Sequence, residues 1–211
     1  MIAHKGIVRW RISVQGVSAH GATPQLGRSA VYDGARVALA LEEYAQLLAQ
    51  RETHPMLGHP TLNVGKVNGG QSVNIVPDKC VFELERRLLP GEYARQTLDD
   101  CEDFLRGRVG AEVQLSFEEP YLIDPAMETK PNAEIVSALA QAQHATLGCA
   151  RELEGANYGT DGSKLAKAGI QPVVCGPGDI AQAHTANEFV AVEQVELATN
   201  MYAHLLANWN Q

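Results

Sequence analysis

The chain has 211 residues, 45% of them apolar and 20% charged, with 17 Lys and Arg against 25 Asp and Glu for a net charge of −8. That composition is expected of a soluble globular chain of one or two domains and excludes a disordered tail, a collagen-like rod and a coiled coil. The acidic balance opposes general attraction to nucleic acid or an anionic membrane, and no apolar run approaches the ~20 residues a membrane helix needs. Residues 1–6 carry no apolar stretch of signal-peptide length, so a cytoplasmic location is expected.

Residues 7–14 alternate, with Val8, Trp10, Ile12 and Val14 on one face and Arg9, Arg11 and Ser13 on the other, the period of a half-buried strand. A Gly- and Pro-rich loop follows. Then Val31, Gly34, Ala38, Leu41, Ala45 and Leu48 recur at helical spacing and predict a helix from Arg28 to Gln50. Leu62, Val64 and Val67 indicate a second strand and Gly69-Gly70 a turn. Cys80, Phe82, Leu84, Arg86 and Leu88 give a third strand, to which the short segment Val73 to Val76 is expected to join. A helix from Glu92 to Arg106, carrying Tyr93, Cys101, Phe104 and Leu105, and a strand through Val113, Leu115 and Phe117 complete a β-α-β-β-α-β order. That order is the split βαβ, or ferredoxin-like, arrangement, in which two helices cover one sheet face and the other stays open.

Past Pro120 the pattern changes to helices at Asn132 to Leu147, Gly162 to Ala168 and Val192 to Trp209, with short strands at Arg151 to Leu153 and Pro172 to Cys175. Alternating helices and strands suggest part of a parallel α/β sheet. Two strands are too little sheet for three helices, so the remaining strands are expected outside this chain. Charge supports two units: residues 1–118 carry 13 basic and 14 acidic groups, residues 119–211 only 4 and 11. Cys80, Cys101, Cys149 and Cys175 show no CxxC spacing, so neither a zinc knuckle nor a redox pair is indicated, and buried free thiols are expected.

Several polar positions could carry chemistry. His20 lies in the loop Gly16-Val-Ser-Ala-His20-Gly-Ala-Thr-Pro24, between a strand and a helix, where functional side chains are commonly displayed or simply bond their own loop. Five residues separate Gly21 from Gly27, and Arg28 follows instead of Lys, so the loop is not a P-loop. His184 follows the turn Cys175-Gly-Pro-Gly178, beyond a strand's carboxyl end, where ligand sites of parallel sheets lie. One imidazole cannot hold a zinc ion, and a buried or capping role is the alternative. Thr160 in Tyr158-Gly-Thr-Asp-Gly162 stands before a helix whose first N–H groups could hold an anion, while Asp161 could serve as its N-cap. Asn74 precedes Ile75-Val-Pro-Asp78. Arg87 offers a fork that suits a carboxylate, or is merely solvated.

Taken together, Ala3-His-Lys-Gly6, Gly16 through His20 with Pro24 and Gly27, Asn74 through Pro77, Arg87 through Gly91, Gly159-Thr-Asp161 and His184 through Glu188 resemble the M20 metallopeptidase family, in its acetylornithine deacetylase and succinyl-diaminopimelate desuccinylase branch. The resemblance runs the length of the chain in order. It implies an α/β catalytic domain with two zinc ions and an inserted ferredoxin-like dimerisation lid. Residues 7–118 then form the lid and 119–211 the C-terminal part of the catalytic domain. By the same resemblance His184 is a zinc ligand, and His20 reaches into the other protomer's site to steady the oxyanion formed when water attacks an amide. Asn74 joins it, and Arg87 and Thr160 bind the substrate's carboxylate or acyl end.

The sequence also departs from the family. Its His-x-Asp pair, bridging Asp and adjacent Glu-Glu precede the lid, and no His-x-Asp occurs here. Glu42-Glu43 falls within the lid, and Glu118-Glu119 precedes Pro120. The expectation is a portion of a zinc-dependent hydrolase acting on N-acyl amino acids or small peptides. It would pair as a homodimer through the lid, and this chain alone would bind zinc weakly and be inactive. A non-catalytic dimerisation or binding module derived from the family is the alternative.

Overall fold

A computed structural model describes residues 1–209. In chain order its elements are β1 (Ala3–His4), β2 (Gly6–Gln15), β3 (Ala19–His20), α1 (Ala30–Ala49), β4 (Thr61–Gly69), β5 (Ile75–Val76), β6 (Lys79–Leu88), α2 (Ala94–Val109) and β7 (Gln114–Phe117). There follow β8 (Leu122–Asp124), β9 (Met127–Glu128), α3 (Glu134–Leu147), β10 (Gly155–Ala156), α4 (Gly162–Lys167) and α5 (Val192–Asn208). None of the described helices is long and apolar enough to cross a membrane.

The larger compact unit comprises Lys5–Ala126 with Asn157–Gly159. Its sheet runs β4-β6-β2-β7, with β8 also beside β2 and every neighbour antiparallel. This is the ferredoxin-like order. The apolar halves of β2 and β6 coincide because Trp10 pairs with Leu84, Ile12 with Phe82 and Val14 with Cys80. These residues are buried with Val37, Leu41, Tyr44 and Leu48 of α1 and with Cys101, Leu105 and Val109 of α2. The α1 face is therefore rotated from the sequence reading. Gly34, Leu41 and Leu48 are buried as expected, but Val31 is exposed while Val37, Ala40 and Tyr44 face the core. Tyr93 is likewise exposed, and α2 buries Thr97 and Val109 instead.

Arg86 sits on the core face of β6 with its side chain only 1% exposed. Its guanidinium pairs with Glu92 at 2.7 Å and donates to the Arg87 carbonyl, while the other Glu92 oxygen accepts the Leu89 N–H at 2.7 Å. Burial draws the Arg86 pKa down, against the charge of Glu92. One carboxylate thus compensates a buried cation and closes the turn that leaves β6.

The segment Ile75–Val76 does not join β6, as the sequence reading expects. It pairs with β3 in a separate two-stranded ribbon. The extra pairing of β8 with β2 carries the unit on to Ala126, past the boundary at residue 118 that the motifs suggest.

The second unit comprises Met1–His4, Met127–Ala156 and the residues from Thr160 onward. Here β1 lies between β10, parallel, and β9, antiparallel. The sequence reading places strands at 151–153 and 172–175, and neither forms. Residues 151–153 are exposed coil, and Val174 exchanges backbone bonds only with Met1, too few for a ladder. Helices α3 and α5 pack through Leu139, Ala142 and Met201, with Val173, Cys175 and Leu205 against them. Of the cysteines only Cys80 and Cys101 are buried; Cys149 is exposed and Cys175 half-buried.

Replacing Glu92 by Ala leaves the Arg86 charge buried without its carboxylate. Breaking such a pair costs about 3 kcal/mol, so E92A should lower the urea midpoint with little change in slope.

Candidate functional site

The loop 16–28 is tied down at both ends. Gly16 N–H donates to the Asp78 carbonyl at 2.8 Å, and Val17 and Arg28 exchange two backbone bonds of 2.8 Å. A Cβ on Gly16 would lie 2.2 Å from the Arg28 oxygen, so the backbone crosses here only as glycine. Within the ribbon His20 pairs with Ile75, and Gly21 N–H donates to the Asn74 carbonyl at 2.7 Å. His20 and Asn74, distant in sequence, therefore become neighbours.

Each has one polar atom committed internally. The Ala22 N–H donates to His20 Nδ1 at 3.1 Å, so the neutral ring carries its proton on Nε2. The Ser72 hydroxyl donates to Asn74 Oδ1 at 2.5 Å, which leaves the amide NH2 as the remaining donor group. Both side chains are exposed. The ribbon thus brings two side-chain donor groups to neighbouring backbone positions.

Arg87 lies on the opposite sheet face from Arg86, since side chains alternate along a strand. Its Nε donates to Glu85 Oε1 at 2.7 Å. The other Glu85 oxygen accepts Arg9 Nε and Nη2 at 2.8 and 2.6 Å across the β2–β6 pair. Farther along, Arg11 lies 3.8 Å from Glu83 and 3.7 Å from Glu118, and its guanidinium stands 4.9 Å over the Tyr121 ring. Burial pushes the Glu85 carboxyl up, but the bonds and charges of Arg9 and Arg87 outweigh it and hold the group below its usual 4.5. Buried Lys5 donates to the His59 carbonyl at 2.6 Å. Burial, then the charges of Arg86 and Arg87, lower its pKa. Sequence reasoning missed Glu85 and Ser72. The Glu85-Arg-Arg87 spacing, two residues along one strand face, was the available signal for Glu85.

In the second unit Thr160 folds onto its own helix. Its hydroxyl accepts the Gly162 N–H at 3.2 Å, and its N–H donates to Nε2 of buried His4 at 3.3 Å. Asp161 is the N-cap residue, as suggested, but its exposed side chain pairs with Lys164 at 2.5 Å and makes no cap bond, and the Thr160 hydroxyl accepts the first helical N–H instead. His184 is exposed with φ 62°, the one non-glycine at positive φ among the described residues. Its N–H donates to Glu188 Oε2 at 3.1 Å. Histidine tolerates this conformation better than most residues, and backbone outliers concentrate at functional sites. Among the described residues no group of three or more His, Cys, Asp or Glu is placed to hold a metal. Zinc sites take three or four protein ligands, so the residues present do not fit a zinc ion by themselves.

A family model described as "Peptidase dimerisation domain" matches residues 2–112. Acetylornithine deacetylase of Myxococcus xanthus is 30% identical over 98% of this chain and 54% of its own length. The enzyme of that name from Aliivibrio salmonicida is 30% identical over 96% of this chain and 53% of its own length. The chain spans about half the length of these curated relatives. In fold it is similar to aminopeptidase PepT from Bacillus cereus, with TM-score 0.74 at 20% identity over 97% of this chain and 52% of that one. An M20 family metallo-carboxypeptidase from Sulfolobus solfataricus gives 0.70 at 16% identity over 97% and 58%.

The lowered Glu85 pKa fixes a pH effect. Its contribution to stability is fully present above the usual carboxyl value of 4.5 and is lost as pH falls through the lower folded value. Melting temperature measured down to pH 2 should therefore fall less steeply below about pH 4.5 in Glu85→Gln than in the parent chain.

Proposed function

Because the chain belongs to the peptidase dimerisation-domain family of the M20 peptidases, we propose that it is a portion of a zinc-dependent hydrolase that cleaves the amide bond of N-acyl amino acids or small peptides. The observation that carries the reading is the donor pair on the ribbon. When water adds to an amide carbonyl, negative charge grows on its oxygen, and donors already aimed at that charge lower the barrier. His20 Nε2–H and the Asn74 amide are groups left to donate, brought to neighbouring backbone positions by the ribbon and each with its other polar atom in a local bond. They serve the site of the partner protomer. Arg87 takes the substrate carboxylate, Thr160 its acyl end, and His184 is one metal ligand. The remaining ligands come from outside these residues.

Two features support this. Helix α5 has 17 residues yet buries Met201 alone, and exposes Val192, Val195, Leu197 and Leu206. Helices in proteins are stabilised chiefly by packing an apolar face, and such exposure fits a unit that packs against more of a catalytic domain. In the other unit β4 is a sheet edge. On α1, Val31 lies beside β4, and Ala35 one turn on is exposed. A Cβ on Gly69 of β4 would lie 3.0 Å from Val31. An open sheet edge suits pairing with a second copy. The four unpaired thiols fit the cytoplasm, where thiols stay reduced.

Sedimentation at micromolar concentration should show a homodimer, and Ala35→Glu should raise its dissociation constant at least about tenfold without changing the far-UV spectrum, as unpaired charge at an interface does. The purified chain should hold no stoichiometric zinc by elemental analysis and release no amine from an N-acyl amino acid. Zinc together with amine release would show that the chain completes its own site. A dimer that remains inert when the complementary half of a family enzyme is supplied would favour the dimerisation module instead.

A further inference from the structure

We propose that Glu85 is a positioning residue: held by Arg9 on one oxygen, it fixes the Arg87 guanidinium through Nε on the other, so that the Nη1–Nη2 edge of Arg87 is presented to a carboxylate. The inference rests on the reading of Arg87 as a carboxylate-binding group and deepens it.

The geometry has three parts. Arg9 and Glu85 are directly opposed on β2 and β6, and Arg87 follows Glu85 by two residues on the same face, so the three side chains form a row across the open side of the sheet. Glu85 is divided between them, with Oε2 accepting two bonds from Arg9 and Oε1 one bond from Arg87 Nε. A guanidinium has five N–H donors in a rigid plane, so a bond at Nε sets the direction of the whole fork. The row Arg9–Glu85–Arg87 has two positive charges and one negative. The surplus charge calls for an anion, and a planar fork held at one edge selects one that accepts two parallel bonds. The partly exposed Arg87 side chain, 26% accessible, leaves room for it.

Charge and orientation make opposite demands on a variant, which makes the idea testable. Glu85→Gln raises the local charge from +1 to +2, which by itself favours anions, but replaces the shared carboxylate with an amide that can hold Arg87 only weakly. The experiment follows arginine Nε–H resonances of the 15N-arginine-labelled full chain titrated with N-acetylglycine and with its methyl ester. In the parent chain the Arg87 Hε should exchange slowly with solvent and shift with the acid but not the ester. In Glu85→Gln the protection should vanish and the affinity for the acid fall about tenfold, the scale of one lost charge-assisted contact, while Glu85→Asp restores part of both. Unchanged or tighter binding of the acid by Glu85→Gln, with its far-UV spectrum intact, overturns the positioning role alone. If the acid fails to shift Arg87 in the parent chain, the carboxylate reading falls and the positioning role falls with it.

Discussion

The antiparallel register of β2 on β6 is the constraint from which the rest of the ferredoxin-like unit follows. Side chains alternate with period two, so a slip of one residue would drive Arg9 and Arg11 into the core and turn Trp10 and Ile12 to the open face. The observed register does the reverse. It sets Trp10 against Leu84 and Ile12 against Phe82 beneath the helices, and in the same step aligns Arg9 with Glu85 and Arg11 with Glu83 outside. One pairing thus builds both the apolar layer and the charged row that borders Arg87. Arg86 is the exception on the inner face, and the Glu92 carboxylate beside it keeps that exception tolerable.

The donor pair rests on that frame at one remove. The chain leaves β2 at Gln15, turns through Gly16 under the start of α1, and is anchored to Asp78 and Pro77 where β6 begins. The ribbon of β3 and β5 is therefore fixed by the same two central strands that order the sheet. Under the proposed role, such fixing is what a side chain that steadies developing charge needs, because donors that must reorganise during reaction lose most of their advantage. The local bonds from Ala22 to His20 and from Ser72 to Asn74 complete it by deciding which atom of each side chain remains to donate.

The second unit has a different balance. Its strands are two residues each, and its helices outnumber what so small a sheet can cover. Membership of the M20 dimerisation-domain family, the half-length span of the relatives and the exposed flank of α5 agree with one another on physical grounds. His184 sits in this unit on a left-handed turn, a conformation that histidine adopts more readily than most residues.

The sequence by itself determined the ferredoxin-like order, the positions of the five helices among the described residues, and the residue types of the candidate site, because period-two and period-3.6 patterns and turn residues are local signals. It misjudged the α1 face, since Val31 and Val37 are equally apolar and only the sheet beneath selects between them. It predicted strands at 151–153 and 172–175, because short apolar runs resemble strands whether or not a neighbour exists to bond them. Tertiary structure decided what no spacing encodes: that Ile75–Val76 leaves β6 to pair with β3, that the Thr160 hydroxyl and not the Asp161 carboxylate accepts an N–H at the start of α4, and that Glu85 stands between two arginines. Each of these depends on which distant backbone lies alongside, and hydrogen bonds across that distance are set by packing, not by the neighbours in the chain.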